Sequence, residues 1–181
     1  MYFFTADEHY FHSNIIRFCG RPVKDVEEMN ELQIGNHNSV VKGGDTVVHA
    51  GDFTLLKDRK KIQQDLIDRL NGNHIFLKGS HDYWLPRNKS IQIWEKMIEG
   101  HYVVVCHYNM RTWARSHYNS WQLYGHSHGK LEPEGKQWDI GVDNNNFFPV
   151  SFDQIKEIMA KRPDNISFLR LEERRHGSKR N

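Results

Sequence analysis

The chain has 181 residues, 25 Lys plus Arg against 23 Asp plus Glu, and two cysteines. That length suits one domain with a buried core, and the near-balance of charge makes no case for a nucleic-acid partner. No apolar run is long enough to span a bilayer, and two cysteines do not make a disulfide framework, so a cytoplasmic protein with no membrane contact is expected.

The start, Met1-Tyr2-Phe3-Phe4-Thr5-Ala6-Asp7, has no basic leader before its apolar stretch, which is not the form of a signal peptide. Tyr2–Thr5 reads as a buried strand and runs into Asp7-Glu8-His9. Residues 27–41 have a weak helical pattern interrupted by Gly35. Thr46–His49 reads as a second strand and leads to Gly51-Asp52. Residues 57–70 read as a helix with Ile62, Leu66, Ile67 and Leu70 on one face. Gly72-Asn73-His74 precedes a strand at 75–77 and reads as the turn that stops that helix. The strand itself leads to Gly79-Ser80-His81-Asp82. Residues 102–106 form a strand ending at His107, Trp121–Tyr124 another ending at Gly125-His126-Ser127-His128, and 137–142 alternate in a strand-like way. Ser151 caps a last helix whose apolar stripe is Ile155, Ile158 and Met159. Strands alternating with helices predict one layered α/β domain over residues 1–170, followed by a basic tail at 171–181 that reads as solvated.

The chelating groups follow strand ends, where open α/β sheets gather their ligands. Carboxylates and imidazoles without a thiolate suit a hard or borderline divalent ion. Asp7, His9, Asp52, Ser80, His107, His126 and His128 are too many for one tetrahedral site but suit a two-metal centre, a common device for cleaving phosphate esters. The adjoining Gly51, Gly79 and Gly125 let the backbone turn and approach an ion.

In this order the motifs resemble the calcineurin-like metallophosphoesterase family, whose pattern is Asp-x-His, Gly-Asp, Gly-Asn-His-Asp/Glu, a lone His and Gly-His-x-His. The match covers residues 5–129, and small bacterial and phage members are most similar, through Arg21-Pro22 and Gly141-Val142-Asp143. The resemblance implies a β-sandwich flanked by helices, with two divalent ions (Mn, Fe, Ni or Zn) at one edge. It implies hydrolysis of a phosphoester small molecule or nucleotide by an activated water, with a lean to diesters. Carried over by residue, Asp7, His9 and His128 hold one metal, Asp52 bridges, and Ser80, His107 and His126 face the other. His81 donates to the leaving group, with Asp82 as its orienting partner. Ser80 departs from the family's Asn and has a shorter reach, which is expected to weaken the second metal. The alternatives are a phosphomonoesterase, or a metal-binding protein of this fold with poor turnover.

Other residues have two readings. His12 follows the first motif and either lines the site or caps a helix. Arg111 and Arg115, near His107, either bind phosphate oxygens or are solvated. Tyr83, Trp84, Tyr108, Trp113 and Tyr118 singly read as core, and together would make a platform for a nucleobase. His49 reads as a satisfied core or supporting histidine, Asp45 and Asp143 as turn residues or supports, and Cys106 as a buried strand residue. His37, His74, His101, His117 and His176 carry no assigned role.

Overall fold

The computed structural model describes residues 1–86, 88 and 90–168. Its strands are β1 (Tyr2–Thr5), β2 (Thr46–His49), β3 (Asn73–Phe76), β4 (Ile93–Ile98), β5 (His101–Cys106), β6 (Trp121–Tyr124), β7 (Gln137–Asp139) and β8 (Val150–Ser151). The helices are α1 (Ser13–Cys19), α2 (Val26–Val40), α3 (Arg59–Asp65) and α4 (Phe152–Lys161). The strands form two four-stranded mixed sheets, ordered β3-β2-β1-β8 and β4-β5-β6-β7. Within them β1, β2 and β3 run parallel, as do β5, β6 and β7, while β8 and β4 are antiparallel edges.

One core joins the sheets. Phe4 and Val48 from the first sheet meet Val103, Val105 and Leu123 from the second, with Phe152, Ile155 and Met159 of α4 closing one side. The start of α4 is fixed by a capping box: Ser151 Oγ accepts from Gln154 N, and Gln154 Oε1 accepts from Ser151 N. A cap of this kind contributes roughly 0.5–2 kcal/mol. Among the described residues, no helix is long and apolar enough to cross a membrane.

Several sequence expectations need correcting. The helix at 57–70 is the shorter α3 followed by a 3₁₀ turn at Ile67–Arg69, because Leu66 (φ −125, ψ −71) leaves helical geometry. Asn73 and His74 open β3 instead of forming a turn, since they pair with Thr46 and Val47. Helix α2 runs through Gly35 unbroken. Its buried face is Met29, Asn30, Gln33, Ile34 and His37, a helical repeat filled largely with polar side chains. The edge strand β4 was not anticipated, and only 137–139 of the 137–142 stretch is strand. The basic tail at 171–181, with His176, lies outside the described residues.

Candidate metal centre

The carboxyl ends of β1, β2, β3, β5 and β6 converge, and each continues into one of the sequence motifs. Asp7, His9, Asp52, His126 and His128 all have positive φ, between 50° and 68°. Left-handed backbone is uncommon for non-glycine residues, and its clustering marks a site held under strain. The glycines beside them answer to space. A Cβ on Gly79 would stand 2.2 Å from Asp52 Oδ1, and one on Gly125 would stand 2.7 Å from Asp7 Oδ2.

Two groups of chelating atoms result. Asp7, His9 and His128 bring one ligand atom each within 4.8 Å of one another, and Asp52, His107 and His126 do the same. Asp52 Oδ2 lies between the groups, 3.7 Å from His9 Nε2 and 3.4 Å from His107 Nε2. Asp7 Oδ1, His9 Nε2 and His107 Nε2 are buried without a hydrogen-bond partner. Buried polar atoms without partners are costly and rare, and three around one carboxylate are what a bound cation would satisfy. The donor set of carboxylates and imidazoles fits a hard or borderline divalent ion.

The ligands are oriented from behind. His107 Nδ1 lies 3.0 Å from the Ala50 carbonyl, so it carries the proton and leaves Nε2 as the ligand atom. His128 Nδ1 donates to Asp143 Oδ2 at 2.7 Å. Asp143 in turn takes Arg21 Nε and a second Arg21 nitrogen, both at 2.8 Å. Arg21 also donates to the Asp7 and Glu8 carbonyls, at 2.7 and 2.9 Å. The expectation that Asp143 supports the site agrees with this geometry. The part played by Arg21 was missed, and its only sequence signal was the Arg21-Pro22 pair after α1. Cys19, His128 and Asp143 also come within 4.8 Å of one another, but a cation there would compete with the Arg21 guanidinium.

Other expected residues sit differently. Ser80 Oγ donates to Asp52 Oδ2 at 2.9 Å, so it engages the central carboxylate. Asp82 does not serve as an orienting partner for His81. Its buried carboxylate accepts the backbone N–H groups of Asp52, Phe53 and Gly79 and the Trp84 indole N–H, pinning two ligand loops together. The His81 backbone N–H donates to Asp52 Oδ1, and its ring lies 5.3 Å from that of His9. His12 joins the site, with Nδ1 3.2 Å from His9 Nδ1. Arg111 and Arg115 do not. Arg115 stacks 4.5 Å over the Tyr102 ring at the amino end of β5, and Arg111 lines a cleft with Trp113, Pro133 and Asn165 that contains no chelating residue of the centre. Trp113 and Trp84 are tied by their indole N–H groups, while Tyr83 and Tyr108 are exposed.

Electrostatics follow from burial. Burial, then the neighbouring Asp52 and Asp139 charges, push the Asp7 carboxyl well above the usual range. Burial also raises Asp52, but the His107 ring and the His81 backbone N–H outweigh it and hold that carboxyl low. His9 is pushed down to about 3 by burial, and His126 is lowered by burial and by His107. Neutral His9 and His126 beside an ionised Asp52 are the protonation states that metal ligation requires, while Asp7 must give up its proton to become a ligand. Beneath the centre, Glu8 Oε1 meets His49 Nδ1 at 2.6 Å, and His49 Nε2 meets His74 Nδ1 at 3.0 Å.

An uncharacterized protein of Methanocaldococcus jannaschii, MJ1445, is 31% identical to this chain over 166 residues, covering 88% of the chain and 91% of that protein. The chain belongs to the family of that archaeal protein. No family model matches. A protein of unknown function from Aquifex aeolicus has the same fold, with a TM-score of 0.67 at 22% identity over 87% of this chain and 98% of that one. A conserved uncharacterized protein from Streptococcus pneumoniae, titled a predicted phosphoesterase, reaches a TM-score of only 0.39 at 13% identity, over 77% of this chain and 70% of that one, which carries no argument.

Proposed function

We propose that this chain is a metal-dependent phosphoesterase of calcineurin-like type, holding two divalent ions between the Asp7–His9–His128 and Asp52–His107–His126 groups. The observation that carries the reading is the position of Asp52 Oδ2 between His9 Nε2 and His107 Nε2, both buried without partners. A carboxylate so placed offsets the repulsion of two cations roughly 3.5–4 Å apart. Such ions supply charge to the phosphoryl oxygens and acidify a water.

The chain's own residues do the rest. Arg21 and Asp143 hold His128, and Ala50 holds His107, so the two imidazoles present Nε2 in fixed orientation to the ions they would bind. Water adds across the ester: its oxygen bonds to phosphorus as the ester P–O bond breaks, the leaving oxygen takes a proton from His81, and the proton lost by the water passes to solvent, from which His81 is reprotonated. His81 is partly exposed beside His9 and His12, where a leaving group can reach it. The rim is open at His126, Tyr108 and Tyr83, which favours a phosphodiester or nucleotide over a small monoester.

One observation favours a second reading. The Ser80 hydroxyl occupies Asp52 Oδ2, the oxygen a second ion needs, which would leave one strong metal site and poor turnover. Metal analysis by mass spectrometry and hydrolysis of aryl mono- and diesters with added Mn²⁺, Ni²⁺ or Zn²⁺ test both readings. Two ions per chain, with activity abolished in Asp52→Asn, are expected. One ion with slow turnover would favour the second reading, and no activity with any metal would refute the enzyme.

A further inference from the structure

Two exposed aromatic residues, Tyr108 and Tyr83, stand on two of the loops that carry the centre. Tyr108, 47% exposed, has its ring centroid 4.8 Å from the rings of both His107 and His126. Tyr83, 61% exposed, follows His81 by two residues, and its backbone N–H donates to the His81 carbonyl at 2.8 Å. Core packing explains neither ring, because both are largely exposed.

The Tyr83 side also carries positive charge. Lys57 Nζ stands 5.4 Å from the centre of the Tyr83 ring. Lys61 Nζ stands 5.5 Å from the centre of the Phe11 ring, in the residue just before His12. The segment Lys57-Asp58-Arg59-Lys60-Lys61 has a single acid, and the Asp58 carboxylate is engaged by the backbone N–H groups of Lys60 and Lys61. Arg59 Nε donates to the Trp84 carbonyl at 2.8 Å, which ties this basic segment to the loop that bears His81. Beyond Phe11 the balance of charge changes sign: the adjoining groove is lined by Glu27, Glu31 and Asp65 against one cation, Arg69, which pairs with Glu31. A polyanion leaving the centre is therefore led past Tyr83 and Lys57 and turned away from α2.

Stacking rings with a flanking line of cations is how single-stranded nucleic acid is held without sequence preference. A mononucleotide needs one ring, and a simple monoester needs none. Two exposed rings, one packed on His107 and His126 and one two residues after His81, suit two consecutive bases. The overall charge of 25 against 23 hides this arrangement, since it is local. We infer that the substrate is a short single-stranded oligonucleotide, with one base on Tyr108, the next on Tyr83, and the following phosphate beside Lys57 and Lys61. Cleavage of that strand rests on the phosphoesterase reading; its binding does not.

The test measures binding apart from chemistry. Fluorescence anisotropy of a labelled phosphorothioate oligothymidylate, with the full chain in EDTA, is expected to show saturable binding. Tyr83→Ala and Tyr108→Ala should each raise Kd about tenfold, while Tyr83→Phe keeps the ring and should retain affinity. Lys57→Gln and Lys61→Gln should each flatten the slope of log K against log salt by about 0.7. No binding by the wild type, or equal Kd values for wild type and Tyr83→Ala, would overturn the inference, as would unchanged salt slopes. Binding without hydrolysis of any ester would sink the phosphoesterase reading alone. Hydrolysis of aryl diesters without oligonucleotide binding would sink this inference alone.

Discussion

Replacing Asp143 by Asn keeps the shape of the side chain and removes its charge, so it separates the support of His128 from mere packing. Asp143 Oδ2 accepts from both His128 and Arg21, and Oδ1 accepts from Arg21 Nε. An Asn has one acceptor oxygen and an NH₂ that can only donate. If its oxygen stays on His128, the NH₂ faces Arg21 Nε–H, donor against donor. If the amide flips, His128 loses its partner. Either way at least one charge-assisted hydrogen bond is lost, at a cost of about 1.5–3 kcal/mol. For a chain of this size that predicts a fall in Tm of about 3–12 °C. A loosened ligand behind a metal typically costs about 10–100-fold in affinity, or about 1.4–2.8 kcal/mol. Calorimetric titration of the apo protein with Mn²⁺ or Zn²⁺ measures the second quantity, and a thermal melt in EDTA measures the first. A lowered Tm with unchanged metal affinity would refute the orienting role and leave Asp143 a purely structural partner of Arg21.

The neighbouring positions give further tests. Ser80→Asn removes the hydroxyl from Asp52 Oδ2 and offers a longer carbonyl oxygen. The weaker of the two metal affinities should rise about tenfold, roughly the worth of one charge-assisted bond; titration of the variant that matches the wild type would dismiss Ser80 as the cause of a weak second site. Asp82→Ala strips the buried partner from the N–H groups of Asp52, Phe53 and Gly79, so Tm should fall by the equivalent of about 3–5 kcal/mol. A shifted activity-pH profile with an intact Tm would instead restore the expectation that Asp82 acts through His81. Acid should destabilise the fold. Burial pushes His49 down to about 3 and His37 and His74 to about 4, and pushes Glu8 up to about 7. Between roughly pH 4.5 and 6.5 the unfolded chain protonates the three histidines, whereas of these four groups the folded chain protonates only Glu8. The unfolded state then binds more protons, so stability falls as pH drops through that window. Melts in EDTA at pH 7 and pH 5 should differ in that direction, and equal Tm values would contradict the burial of neutral imidazoles.

The candidate ligands were legible because each follows the end of a short apolar run, a local pattern. Their supports were not, because the contacts are remote. Arg21 and Asp143 lie 122 positions apart, and no spacing rule joins them. The polar face of α2 weakened its periodicity for a functional reason: Gln33 Nε2 donates to the Glu8 carbonyl, and Asn30 Oδ1 accepts from Phe11 N, so that face serves the first ligand loop. Strand β4 (Ile-Trp-Glu-Lys-Met-Ile) has three exposed residues in a row and lies at an edge, where alternation is least enforced. Arg115 was misplaced by trusting nearness in sequence. Strands β5 and β6 are parallel, so residues 108–120 must travel back to the amino end of the sheet before β6 can start. That return carries Arg115 away from His107 and onto Tyr102.

The strain at the centre explains why so much of the interior is polar. Each ligand residue in left-handed backbone costs on the order of 1–3 kcal/mol, and such conformations persist only where the surroundings over-determine them. Here each strained loop has its own buried charged group. Arg21 holds the carbonyls of Asp7 and Glu8 in the loop after β1. Asp82 gathers the N–H groups of Asp52 and Phe53 after β2. Asp139 accepts Ser127 Oγ at 2.5 Å and Gly129 N at 2.9 Å, fixing the loop that carries His126 and His128. These three groups are each 4% exposed or less, and each makes several hydrogen bonds to loop atoms. The loops are therefore shaped by buried protein contacts as well as by their own backbone. A site built in this way is preorganised: the cost of holding its side chains in place is met during folding, which leaves binding energy for whatever the site takes.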